Sequence, residues 1–268
     1  MFKTRLLSGI VLVITALVLI ITGGNLLLVS TLLISYIGMF ELYRIFQMEK
    51  GLLGIIGYVA ATLYYCNLKF EVLKDSMVLV LGFLILLMFA YVFTYPKYRT
   101  EQVLAAFFGV FYVAVMLSFI YQIRMIEAGK YIVWLVFLCS WGCDTCAYCV
   151  GVLFGKHKMS PKLSPKKSVE GAIGGVVGAA LLTIIYTMIF KNAMGLTNEH
   201  IFILAAISAV GALISMVGDL TASAIKRNYE IKDYGTLIPG HGGILDRFDS
   251  VIVTAPIIYF LAVNFIAL

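Results

Sequence analysis

Ser223-Ala-Ile-Lys226-Arg227-Asn-Tyr-Glu-Ile-Lys232-Asp233-Tyr-Gly235-Thr-Leu-Ile-Pro239-Gly240-His241-Gly242-Gly243-Ile-Leu-Asp246-Arg247-Phe-Asp249 is a polar run set between two apolar stretches, 199–224 and 248–267. Each flanking stretch has the roughly 20 residues that a bilayer crossing takes. The run therefore reads as a loop between membrane spans. Its 27 residues hold four cations, four acids, one histidine and four glycines. Packing alone does not call for such a cluster between spans. It has the makeup of a site that handles phosphate and metal at the edge of a bilayer.

The same pattern extends to the rest of the chain. Of 268 residues, 62% are hydrophobic and 13% charged, with mean hydropathy +1.01, whereas soluble domains are about 45–50% apolar and about 25% charged. Seven further apolar runs, near 6–22, 25–46, 51–67, 76–94, 103–121, 131–154 and 169–190, bring the expected spans to about nine. The expected fold is all-α and polytopic, one membrane domain with a polar funnel on one side. The first run lacks an A-x-A-like cleavage site before a polar domain and is read as an anchor, not a removed leader.

Lys and Arg in short loops favour the cytoplasmic side. With the N-terminus inside, only Lys69, Lys74, Arg124, Lys130 and Lys191 of the 20 Lys and Arg residues fall outside. Lys3, Arg5 and both basic loops of the second half then face the cytoplasm. The net charge of +6 sits on that face, where it attracts anionic headgroups or nucleotide phosphates. No basic soluble module with interleaved aromatics is present, so nucleic acid is not an expected partner.

Three polar regions carry chemistry. In Ser140-Trp141-Gly142-Cys143-Asp144-Thr145-Cys146-Ala147-Tyr148, Asp144 lies well inside an apolar segment. An ionised acid at mid-span costs about 2.5–3.5 kcal/mol on an insertion scale, so it is expected to face a cavity, a cation or a partner. In Ser164-Pro165-Lys166-Lys167-Ser168-Val169-Glu170-Gly171, two lysines and a candidate N-cap, Ser168, precede a span. Helix N-terminal amides with flanking ammonium groups bind phosphate. Glu170 suits the helix dipole, and Gly171, Gly174, Gly175 and Gly178 should let this span pack tightly. In the third region Asp219, Ser223 and Lys226 share a helix face. Pro239–Gly243 reads as a flexible loop whose backbone can approach a ligand. Asp246 and Asp249 follow at i,i+3, and hard oxygen ligands of this kind suit Mg²⁺.

Glu41 and Arg44 are spaced to pair with each other near the end of the second span. Cys143 and Cys146 form a C-x-x-C without the second half of a zinc site. With Cys139 at helical spacing they read as small residues at a helix contact.

The third region resembles the signature of the phosphatidate cytidylyltransferase (CDP-diacylglycerol synthase) family: S-x-hydrophobic-K-R, then K-D-x-small, then hydrophobic-P-x-H-G-G and D-R-hydrophobic-D. Ser223, Lys226, Arg227, Lys232, Asp233, Gly235, Pro239, His241, Gly242, Gly243, Asp246, Arg247 and Asp249 fall in register. Trp141, Asp144, Thr145, Ala147 and Tyr148 resemble the family's W-x-x-D-[ST]-x-A-Y, and the Ser164–Gly171 run resembles S-P-K-K-[TS]-x-E-G with Ser168 where Thr is commoner. The resemblance covers about 140–250 closely and the front half only in hydropathy.

What the resemblance implies is transfer of CMP from CTP to phosphatidate, giving CDP-diacylglycerol and pyrophosphate, by a multi-pass cell-membrane enzyme with its site facing the cytoplasm. Asp219 and Asp246 would be the primary ligands of Mg²⁺, with Asp144 and Asp249 nearby and a second cation such as K⁺ a further candidate. Lys166, Lys167, Lys226 and Arg247 would hold phosphates, Ser223 and His241 would orient phosphate oxygens, and Ser168, Arg227, Lys232, Gly242 and Gly243 complete the substrate-binding set. Residues 1–130 would be structural or dimer-forming, 131–268 catalytic, and the assembly a homodimer. Two rival readings are a CTP-dependent polyprenol or dolichol kinase, which would release CDP, and a cation-coupled transporter using Asp144 and Asp219. No inverted repeat supports the transporter. The D-G-x-x-A-R pattern of CDP-alcohol phosphotransferases is missing.

Overall fold

The computed structural model describes residues 2–266, with side chains from residue 7 onward. Lys3 and Arg5, used in the topology argument, and residue 267 of the expected last span lie outside the described side chains. The helices run in the order α1 (Phe2–Thr22), α2 (Gly24–Ile45), α3 (Leu52–Phe70), α4 (Met77–Phe93), α5 (Thr100–Met125), α6 (Gly129–Phe154), α7 (Val169–Phe190), α8 (Asn198–Asn228) and α9 (Leu245–Phe265). Seven are long and apolar enough to cross a membrane, and the described part of α1 and all of α4 are shorter apolar helices. The all-α polytopic expectation holds.

Two details depart from the expected spans. A two-stranded hairpin, β1 (Lys158–Ser160) with β2 (Ser164–Ser168), occupies the loop between α6 and α7, where the prolines suggested only an end to helix. Helix α9 starts at Leu245, not 248, so Asp246 and Arg247 belong to its first turn.

Helix α7 shows why such a helix forms and which way it faces. Gly171, Gly175, Ala179, Thr183 and Thr187 are buried, whereas Ile173, Val177, Leu181 and Ile185 are exposed. Small residues face protein and large apolar ones face outward, the reverse of a water-soluble helix. Without a water-driven reason to bury Leu and Ile, membrane helices associate through close backbone approach. A Cβ on Gly174 would stand 2.5 Å from Val150, and one on Gly178 2.5 Å from Cys146. Cys143 lies 2.9 Å from the corresponding position on Gly175. The C-x-x-C cysteines are thus small partners in the α6–α7 contact.

The chain divides into two compact units, one comprising residues 1–19, 25–118 and 233–246 and the other 20–24, 119–232 and 247–268. The first has tyrosines at its centre. Tyr43 is fully buried, donates to the Ala106 carbonyl at 2.8 Å, and its ring fills the space that Cβ atoms on Gly57 and Gly109 would need. In the second, Ser208 gathers polar contacts inside the bundle: Thr183 donates to it at 2.7 Å, and it donates to the Ala179 carbonyl at 3.3 Å. Tyr43, Thr183 and Ser208 thus each have a partner for the hydroxyl they bury, which an apolar surrounding favours.

Candidate active site

In the second unit, α6, the hairpin, the start of α7 and α8 enclose a cavity of about 530 Å³, lined by Asp144, Tyr148, Lys166, Lys167, Ser168 and Asp219 among others. Each residue arrives for a local reason. Helix α6 carries a π turn at Leu138–Gly142, just before Asp144. Such turns re-aim side chains and recur at functional sites. The hairpin pairs Lys158 with Ser168 and delivers Lys166 and Lys167 to the mouth of α7. Ser168 accepts from Gly171 N at 3.1 Å as the α7 N-cap, as its position in the sequence suggested. Its Oγ also lies 2.7 Å from where a Cβ on Gly155 would stand, so the glycine leaves room for this buried hydroxyl.

Glu170 does more than complement a dipole. It accepts from Lys156 N at 3.1 Å and from His157 N at 3.2 Å, and meets His157 Nδ1 at 2.5 Å. One carboxylate thus fixes the entry to the hairpin.

Lys167 forms an ion pair with Asp219 of α8. Burial works against the lysine's charge, but Asp219, Asp144 and Asp249 outweigh it and raise its pKa above the usual 10.5. Asp249 comes within reach because Gly218 lets α8 and α9 touch: a Cβ there would lie 2.8 Å from the Asp249 carbonyl and 2.3 Å from Val253. Trp141 completes the convergence from α6, donating to the Arg247 carbonyl at 3.3 Å. The structure therefore brings Asp144, Asp219, Asp249 and Lys167 together. The Arg247 guanidinium lies within electrostatic reach of Asp144, and its buried Nε has no hydrogen-bond partner among the described residues. An orphaned buried donor is costly unless something else satisfies it. Ser223 and Lys226 sit part-buried further along α8, Lys226 within electrostatic reach of Asp249. Arg227 and Lys232 are exposed.

Asp246, His241, Gly242 and Gly243 belong to the first unit. The loop has a defined backbone turn. Ile238 N donates to Gly242 O at 2.8 Å and His241 N to Ile238 O at 2.9 Å, closing a tight turn. Gly242 has φ +88° and Gly243 abuts the Glu41 carboxylate, so both glycines answer to packing. Asp246 is 5% exposed and takes Tyr234 N at 2.7 Å and Gly243 N at 2.9 Å on one oxygen. His241 Nδ1 lies 2.8 Å from Ser8 Oγ of α1, and Ser8 also donates to Pro239 O.

The expected Glu41–Arg44 pair is replaced by something more specific. Glu41 accepts from Ile244 N at 3.0 Å and Leu245 N at 2.8 Å, and Arg44 donates to Tyr234 O at 2.6 Å. Both side chains turn to the loop because its amides and carbonyl need partners away from water. The early start of α9 has the same cause, since Glu41 covers its open N–H groups. An acid inside an apolar span was the signal available in sequence, and the spacing to Arg44 diverted it.

Carboxylate oxygens are the right donors for a hard cation such as Mg²⁺, and Asp219 already holds a positive charge, the Lys167 ammonium. Among the described residues no three His, Cys, Asp or Glu side chains are drawn into one metal-sized group. The carboxylates are therefore donors of the right kind that are not gathered into a cage, and Lys167 supplies the positive charge beside Asp219.

Residues 3–265 match the model of the cytidylyltransferase family. The chain is 32% identical over 272 residues to the phosphatidate cytidylyltransferase of Bacillus subtilis (strain 168), covering 98% of both chains. It is 31% identical over 271 residues to that of Staphylococcus aureus (strain COL), covering 98% of this chain and 99% of the relative. To that of Staphylococcus epidermidis (strain ATCC 35984) it is 33% identical over 268 residues, at the same coverage. The front half, where motifs were lacking, is thereby included, and the chain belongs to the cytidylyltransferase family.

Proposed function

We infer that this chain transfers the CMP moiety of CTP to phosphatidate, forming CDP-diacylglycerol and pyrophosphate at a cell membrane. The observation that carries the reading is the cavity in which Asp144 and Asp219 stand beside Lys166 and Lys167, in a chain aligned end to end with bacterial phosphatidate cytidylyltransferases. A phosphate oxygen of phosphatidate attacks the α-phosphorus of CTP. A new P–O bond forms as the bond to the β-phosphate oxygen breaks, and the electron pair leaves with pyrophosphate. The nucleophile is already anionic near neutral pH, so no side chain has to remove a proton. Catalysis then comes from holding two anions in line and neutralising their charge.

Lys166 and Lys167 at the α7 N-terminus, with Lys226 and Arg247, supply that neutralisation. Ser223 and His241 orient phosphate oxygens, and Arg227, Lys232 and the Gly242-Gly243 backbone complete the grip. Asp219 and Asp246 are the proposed Mg²⁺ ligands, Asp144 and Asp249 support them, and K⁺ is a second candidate ion. Bound there, the cation would screen the charge developing on the phosphate oxygens. A substrate phosphate competes with Asp219 for Lys167, so the ion pair keeps the lysine charged and in place until substrate arrives.

The basic-loop count supports a site open to the cytoplasm, where CTP is found, with phosphatidate supplied from the bilayer. A homodimer is part of the proposal. The α7 glycines are used within the chain, so its contact would fall on other surfaces, such as the exposed Ile173–Ile185 face. The test is purified protein in mixed micelles with CTP, phosphatidate and Mg²⁺. Pyrophosphate together with a product of CDP-diacylglycerol mass supports the reading; CDP together with a phosphorylated lipid would replace it with a lipid kinase.

A further inference from the structure

We propose that Glu41, a side chain of the second membrane helix, is a positioning residue for cytidylyl transfer, setting the turn at the start of α9 and with it Asp246. This rests on the activity inferred above. The N-terminus of a helix leaves amide groups without partners inside the helix, and α9 has no capping side chain of its own at the positions before Leu245. Four amides, three of them consecutive, are met by two acids. Tyr234 N and Gly243 N donate to Asp246, and Ile244 N and Leu245 N donate to Glu41, one to each oxygen. Asp246 thus holds its loop together, and Glu41 ties that loop to α2. Arg44, one turn along the same helix, takes the Tyr234 carbonyl.

The fit around Glu41 is close on every side. It is 4% exposed. A Cβ on Gly235 would stand 2.3 Å from its Oε1, and a Cβ on Gly243 2.3 and 2.4 Å from its two oxygens. Two glycines of the signature run are therefore needed where the Glu41 carboxylate comes between them. A structural acid could sit anywhere in α2; this one touches backbone on both sides of the turn that carries His241 and ends at Asp246. Groups that orient the ligands of a metal typically change affinity or activity by about 10–100-fold when removed, and Glu41 would act in that way on the proposed ligand Asp246.

Glu41→Gln keeps the volume and turns one accepting oxygen into an NH₂ facing an N–H. The experiment measures kcat and KM for CTP, the thermal unfolding midpoint in detergent, and hydrogen exchange of amides 234–247. The expected result is kcat lower by about 10–100-fold, with KM for CTP within about threefold. The unfolding midpoint should hold and faster exchange should be confined to the 234–247 amides. Gly235→Ala should mimic it, and adding Gly235→Ala to Glu41→Ala should cost less than adding it to the parent, because the carboxylate clash is gone and only the 3.1 Å approach to Gly243 Cα remains. A kcat within about twofold of the parent overturns the proposal, as does activity lost together with protection throughout the bundle, which marks a merely structural role. Should the parent chain itself make no CDP-diacylglycerol, the functional reading fails. The local exchange of Glu41→Gln still decides whether Glu41 positions the turn.

Discussion

Gly218 is the residue on which the Asp219–Asp249 approach depends, and Gly218→Ala tests it with a single carbon. The added Cβ would lie 2.8 Å from the Asp249 carbonyl oxygen, a backbone atom with nowhere to go, and 2.3 Å from the Val253 side chain. Carbon contacts settle near 3.5–4.0 Å, so α8 and α9 must part by several tenths of an ångström even if Val253 changes rotamer. Overpacking of this kind costs about 1–3 kcal/mol, and alanine returns about 1 kcal/mol of helix propensity. The net loss of stability is therefore about 0–2 kcal/mol, too little to unfold the bundle. Activity should suffer more. A displacement of about 1 Å at reacting groups costs on the order of 100-fold, so a shift of half that size implies a kcat lower by about tenfold, or about 1.4 kcal/mol in barrier. The assay is release of pyrophosphate from CTP in phosphatidate micelles, beside thermal unfolding in the same detergent. A Gly218→Ala protein with parental kcat would show that the α8–α9 contact does not set the site.

Other outcomes follow from the same geometry. Lys167→Gln should lower transfer by more than about 100-fold, since both charge balance at Asp219 and a phosphate ligand are lost; kcat and KM for CTP check it. Because the folded pKa of Lys167 is raised above 10.5, its stabilising contribution is fully present below that value and fades only as pH rises through the raised one. The stability difference between parent and Lys167→Gln should thus stay flat from about pH 8 to 9, where the facing carboxylates are charged as well, measured by unfolding across that window. Arg247→Lys retains the charge but not the fork or the buried Nε, and should raise KM for CTP about tenfold. Asp246→Asn should abolish turnover with little change in the unfolding midpoint, because an amide oxygen can still accept from Tyr234 N and Gly243 N.

What could be read in the residues themselves was the chemistry carried by type and spacing. Long apolar runs announced the helices, Asp144 and Asp219 stood out because acids are costly in a span, and Lys166, Lys167 and Ser168 were recognisable before a helix start. What escaped was geometry set by partners distant in sequence. Nothing near Glu41 says that two amides some 200 positions later will need an acceptor, and its neighbour Arg44 offered an easier partner. Pro161 and Pro165 signalled an interruption, but the hairpin depends on pairing across the turn. The glycines of the Pro239–Gly243 run looked like freedom of motion, whereas Gly242 serves a left-handed backbone and Gly243 a close carboxylate. Local sequence records that a side chain is absent without recording what fills the space.

The grouping of residues 233–246 with the early helices bears on how this enzyme can be cut or grafted. A fragment starting at α6 would keep every position of the signature and lose Ser8, Glu41 and Arg44, the side chains against which the His241 turn is moulded. Swapping the first five helices for those of a distant relative would need the acid at 41 and the basic residue at 44 to travel with the glycines at 235 and 243. The featureless front of the chain and its richest motif are, in this respect, one inherited piece.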